Sequence, residues 1–524
     1  MIGISRNRWI NYIKNNVLGR SDFRYTVIVK KDIVEVYDEY LRRVVYSSNK
    51  ISNVLNRIIN SNTKIKIVSS DNKPITKEVE DEICIENVTN LEIIGDNNVT
   101  FKAKDGSAIN IMSIINSRYV KVRGLSFDGN LTNVDYKTAE MYEQLNNLLV
   151  RNSEYIVIKD NYSAKSYYFT FRVENSSLIG IENNISYGFR DQGISVYKSK
   201  DVEVFNNFVS NDDTGKGYIG IDVWLSKDVY VVRNNVTNIG YMEGFGHGID
   251  CEGSSNVYIL DNVVKYNKVN GICAYEWGGV KPDNITIAFN IVVGNGLEYG
   301  GNGITAEDSD TVTVVNNIVL NNKRGIYFKN LNNVKIHDNI VSNTINQGIM
   351  AENSTNIDII GNHSSGSNGN EGIIVLSSKL IRILNNMSTN NKSNGIDIRN
   401  STYGIISNNI SINNDWNGFY LDNSSFITVD KNIAYDDRET KDQDFGIMET
   451  NHSDYNIIKD NVFINNLNGN YNIGGEHTYC DKKIYSLLPT DGFSIEYKPI
   501  LYYDGTTYYL AVWNGQSWIK VALS

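Results

Sequence analysis

The chain has 524 residues, 41% of them hydrophobic, and a formal net charge of −10. That length exceeds what one compact core accommodates, so the chain either divides or grows as a repeat. The acidic balance excludes nucleic acid as the main partner, and no apolar run reaches the roughly 18 residues of a membrane span.

Residues 1–20 are basic but lack the apolar core and cleavage site of a secretory leader, so no signal peptide is read there. They form either a short docking helix or a tail. YTVIVKK, IVEVYD and RRVVYSS then predict a small antiparallel sheet. In ISNVLNRIINS, Ile51, Val54, Leu55, Ile58 and Ile59 share one helical face, which predicts a helix over 51–61 that caps the structure behind it. Residues 1–75 thus read as an N-terminal attachment and capping module.

Residues 76–483 are a repeat. A glycine before Ile or Phe recurs at Gly193, Gly220, Gly248, Gly271, Gly303, Gly325, Gly348, Gly372, Gly395, Gly418 and Gly446. An alternating strand follows, then a polar pair such as Asn-Ser, a second strand, an asparagine and a third short run. That asparagine lies 14 residues after the glycine in most coils. We assign it to Asn207, Asn235, Asn262, Asn317, Asn339, Asn362, Asn386, Asn409 and Asn432, with Asn161, Asn184, Asn290 and Asn461 in phase. Asparagine tolerates the left-handed backbone of a tight corner. A buried column of amides is tolerable only if each bonds the next, so a ladder is expected. Three strands per coil and about seventeen coils follow. Cys84, Cys251, Cys273 and Cys480 have neither disulfide nor metal spacing, so simple burial is expected and no metal site is assigned.

This repeat resembles that of the pectin-lyase-like superfamily of right-handed parallel β-helices, with coils of the NosD type, over about three quarters of the chain. The resemblance implies an all-β, right-handed parallel β-helix solenoid with an N-terminal β/helix cap and a small C-terminal antiparallel β module. It does not select a function, because lyases, hydrolases, epimerases and non-catalytic viral spikes share the fold. The order of strands, helix and coils is similar to the start of virus-associated β-helix spikes. That implies attachment to a virion or other particle through the N-terminus, and a place on a virion surface or outside the cell.

Within each glycine-led strand the period is two, so Ile points inward and the next residue outward. The outward face from 220 to 352 carries Asp222 and Trp224, Asp250 and Glu252, Cys273 and Tyr275, Thr305 and Glu307, Tyr327 and Lys329, with Glu276 and Trp277 just beyond one strand. Coils lengthen here as well, with glycine spacings of 27, 28 and 32 between Gly193 and Gly303 and extra residues at 211–218, 240–247, 278–283 and 294–300. Loops clustered on a solenoid build binding grooves. Rings and carboxylates suit a polysaccharide: Trp224, Tyr275, Trp277, Glu307 and Tyr327 are candidate binding residues, and Asp222, Asp250, Glu252, His247 and Glu276 candidate catalytic ones. Carboxyls one coil or two residues apart fall near the spacings used by retaining and inverting glycosidases. Gly246-His247-Gly248 is similar to the Gly-His-Gly of polygalacturonases, but Asp212-Asp213 sits in a loop and no Arg-Ile-Lys follows. No cofactor is expected unless the chain is a lyase, when Ca²⁺ would enter.

Residues 484–524 break the repeat. ILYYDGTTYYLAVWNGQSWIKVALS predicts a meander with Asp504-Gly505 and Asn514-Gly515 turns and many rings. It resembles the terminal modules of phage and virus fibres, which implies a homotrimer. Its other reading is a plain cap. Three functions therefore stand in order: a viral spike or fibre that binds cell-surface glycan, a polysaccharide-cleaving enzyme, and a structural surface rod.

Overall fold

A computed structural model of the chain describes residues 23–133, 145–211, 217–240, 245–450, 452–481, 499–503, 508–513 and 518–522. Residues 1–20, read above as a docking helix or a tail, Asp212-Asp213 and the two C-terminal turns lie outside them. The chain divides into two compact units, Met1–Ile291 with Asn295–Gly300, and Val292–Gly294 with Gly301–Ser524.

The first unit begins with Tyr25–Val29 paired antiparallel to Val34–Asp38, which pairs antiparallel to Arg43–Ser48. Tyr25–Val29 also pairs in parallel with Thr63–Ser69, so the small sheet leads directly into the coils. The expected helix runs over Ile51–Ile58 and buries Ile51, Val54, Leu55 and Ile58 on one face. It is one turn shorter than the sequence pattern, because Ile59 already has an extended backbone.

Each coil has three strands, as in His247–Glu252, Ser255–Leu260 and Val263–Lys265. Successive coils pair in parallel, residue for residue: Asp222 opposite Asp250, Val229 opposite Val257, Val236 opposite Val264. Inward residues from all three faces, including Ile221, Val223, Ile249, Cys251, Val257 and Val264, are fully buried. The repeating glycine has a steric cause. A Cβ on Gly220 would stand 2.4 Å from Val236 Cγ1 and 2.6 Å from the Gly248 carbonyl oxygen, so no side chain fits where one coil's corner meets the next.

The amide ladder is present. In the first unit Asn161, Asn184, Asn207, Asn234 and Asn262 each donate Nδ2 to Oδ1 of the next member, ending at Asn290, over 3.0–3.1 Å. In the second unit Asn317, Asn339, Asn362, Asn386, Asn409 and Asn432 do the same, ending at Asn461. Two expectations need correction. The rung assigned to Asn235 belongs to Asn234, and Asn235 opens the next strand. The left-handed corner is not the ladder residue but the one before it, such as Asn206, Arg233 or Asp261. That corner turns the following amide inward. A second ladder of serines runs through the other corner, Ser176 to Ser199 to Ser226 to Ser254, each backbone N–H donating to the next hydroxyl.

The second unit repeats the same three-strand coil. Its C-terminal strands Pro499–Tyr503, Tyr508–Trp513 and Trp518–Ala522 form the expected antiparallel meander. No helix among the described residues is long and apolar enough to cross a membrane.

Candidate functional site

The strands Gln192–Tyr197, Ile219–Trp224, His247–Glu252 and Ile272–Tyr275 lie side by side in the first unit. Their register makes one outward row of Ser195, Asp222, Asp250 and Cys273, and a second of Tyr197, Trp224, Glu252 and Tyr275. His247 stands opposite Ile219 on the other side of the first row. Alternation is as the sequence implies, but exposure is not. Asp222 and Asp250 are each 1% exposed and Cys273 is fully buried, because this row of short side chains lies between two rows of longer ones. The expected open acidic wall is a covered acidic floor.

Burial sets the floor's electrostatics. It pushes Asp222 well above the ordinary aspartate range, helped by Asp250, Glu252 and Asp191 and opposed by a hydrogen bond from Gln192. Asp250 is raised to about 8, by burial first and Glu252 second, although the Cys251 backbone N–H donates to its Oδ1 at 2.8 Å. Burial also raises Glu252. The Cys273 thiol is raised by burial and then by Asp250, and its Sγ lies 3.6 Å from the Ile249 carbonyl oxygen. Oδ1 of Asp222 is buried without a hydrogen-bond partner, as is Nε1 of Trp224. Among the described residues no lysine or arginine pairs with Asp222, Asp250 or Glu252. The second unit handles the same row differently. There Asp397 is paired with Arg399 Nη2 at 2.6 Å, and the same nitrogen reaches Glu371 at 3.1 Å.

His247 is held by Asn270, whose Nδ2 lies 3.1 Å from His247 Nδ1 and 2.6 Å from the Tyr275 hydroxyl. His247, Asp250 and Cys273 offer one ligand atom each, all within 4.8 Å of one another. The sequence leads to no expected metal, with Ca²⁺ entering only for a lyase. Ca²⁺ takes six to eight oxygens, so a set of one nitrogen, one oxygen and one sulfur does not fit it.

Rings rise beside the floor. Trp224 stacks on Tyr197 with centroids 4.2 Å apart, and Trp277 meets Trp224 edge-on at 5.4 Å. Trp277 sits at the base of a short hairpin, bonded to Val280 in both directions, and is 47% exposed. Glu276 is exposed beside it, while Glu252, Tyr275 and His247 are half-buried. Tyr218 and Phe245 pair at 4.4 Å. Glu307 and Tyr327 belong to the second unit. Tyr327 packs with Met350 and Ile374 there, an apolar stretch of the row between Thr305 and Asp397. Glu307 is raised by burial and countered by Lys329.

Of the site residues, Tyr197, Gln192, Asn270 and Cys273 were not foreseen as participants. Reading down the repeat at fixed phase would have found them, since each lies one coil from a named candidate, or two for Gln192.

The family model of the right-handed β-helix region matches residues 110–292, and that of the periplasmic copper-binding protein NosD matches 279–376 and 301–486. With the observed coils, these matches support a right-handed parallel β-helix fold like that of the superfamily. Among the described residues of the NosD-like stretch no three His, Cys, Asp or Glu donors converge. Solved structures are similar to the chain at low identity. The A-module of the Azotobacter vinelandii mannuronan C-5 epimerase AlgE4 is 12% identical, with 82% of this chain and 93% of that one covered and a TM-score of 0.35. The Streptococcus pneumoniae surface adhesin PfbA is 13% identical, covering 72% and 87%, at 0.39. The Dettilon tailspike protein is 13% identical, covering 88% and 71%, at 0.35. No curated protein matches the sequence.

Proposed function

We propose that the ring-lined wall of the first unit binds a polysaccharide and that the chain is a surface-displayed, spike-like recognition protein. One observation carries this reading: three rings, Tyr197, Trp224 and Trp277, are packed in sequence beside half-buried Glu252, His247 and Tyr275. Such rings offer flat apolar faces to sugar C–H groups, and the polar side chains beside them fix hydroxyls.

Recognition is favoured over cleavage. The carboxyls whose spacing suits hydrolysis, Asp222 and Asp250, are 1% exposed, so a glycosidic oxygen does not reach them in this arrangement. A screen of immobilised glycans with mass spectrometry of the bound material tests both readings. Retention of an intact polysaccharide is expected. Shortened products would restore the enzyme reading, and no retained glycan would remove the proposal.

A further inference from the structure

We infer that His247, Asp250 and Cys273 form a binding site for a divalent transition-metal ion, with Zn²⁺ the ion their chemistry suits. The inference is independent of what the ring-lined wall binds.

The three residues come together through the repeat. Asp250 and Cys273 face each other across neighbouring parallel strands, and His247 precedes Asp250 on the same strand by three positions. Their ligand atoms lie within 4.8 Å of one another. Around a tetrahedral Zn²⁺, with bonds of about 2.0–2.3 Å, donors stand roughly 3.3–3.7 Å apart. The trio must therefore contract by about 1 Å, within the reach of side-chain rotation at half-buried His247. Imidazole, carboxylate and thiolate are all Zn²⁺ ligands, and mixed sets of three leave a fourth position for water or a ligand oxygen.

A second observation points to a cation independently of the trio. Asp222, the next member of the same row, is 1% exposed and has a buried oxygen with no hydrogen-bond partner. In the second unit the equivalent aspartate, Asp397, is neutralised by Arg399. The chain supplies no such cation beside Asp222 and Asp250 among the described residues. A bound ion meets that need: it binds Asp250 as carboxylate and Cys273 as thiolate, whose proton passes to solvent, and it places positive charge next to Asp222.

The test uses the full chain, reduced and stripped of metal. Zn²⁺ is titrated calorimetrically, and Co²⁺ is added as a spectroscopic probe. One Zn²⁺ per chain is expected, with a thiolate-to-cobalt charge-transfer band in the wild type. Cys273→Ser should abolish that band, and His247→Gln should weaken Zn²⁺ binding by about tenfold or more. The His247 variant changes a half-buried side chain, so it keeps the test open if the Cys273 variant misfolds. A wild type that binds no stoichiometric Zn²⁺, a Co²⁺ complex without the band, or undiminished binding in both folded variants would overturn the site.

Discussion

Asn386 donates its side-chain Nδ2 to Oδ1 of Asn409 at 3.0 Å, and its backbone N–H donates to the same oxygen at 2.9 Å. One buried oxygen thus satisfies two donors of the coil before it. The Asn386 amide also bonds the Ile359 carbonyl, so each rung ties backbone to backbone across coils.

The ladder makes adjacent rungs costly to remove. Asn386→Leu with Asn409→Leu removes the acceptors of the backbone N–H groups at 362 and 386 and the amide bonds to the Ile359 and Ile383 carbonyls. A loss of about 1–3 kcal/mol for each broken set is expected, seen as a fall of several degrees in Tm by calorimetry. Unchanged Tm would remove the ladder from the account of stability.

Asp436 predicts an acid-sensitive contribution. Burial works to raise its carboxyl, but Arg438 and the backbone N–H groups of Gln443, Asp442 and Arg438 outweigh that and hold it at about 2. A folded pKa below the unfolded one gives stability that is full above the unfolded pKa near 4 and is lost as pH falls through the folded value. Asp436→Asn should lower stability at pH 7 by about 2 kcal/mol. The gap from wild type should narrow as pH falls from 5 toward 2.5. A gap independent of pH in denaturant titrations would contradict the charge argument.

The aromatic-rich C-terminal strands are expected to support a homotrimer. Light scattering on the full chain should give three times the chain mass, and removal of residues 484–524 should give monomers. A full-length chain that is monomeric at micromolar concentration removes the trimer.

The fold was legible because a solenoid writes its geometry as spacing. The glycine phase reflects a clash between Gly220 and the next coil, and the asparagine phase a column of amides. The rung at 234 was misread because Asn234 and Asn235 are chemically identical, and only the left-handed Arg233 before them decides which turns inward. The site was less legible. Alternation gives the direction of Asp250 but not its cover, which depends on Glu252, Tyr275 and His247 in flanking rows. Cys273 looked isolated because its partners lie a full coil earlier in sequence.

Affinity of the purified chain for a glycan retained in the screen, compared among wild type, Trp224→Ala and Trp277→Ala by calorimetry, tests the recognition site most directly. Loss of a ring removes apolar contact and orientation together, and each variant, with folding verified by circular dichroism, should bind about tenfold more weakly. Wild-type affinity in both variants would contradict the account and move the binding surface off this wall.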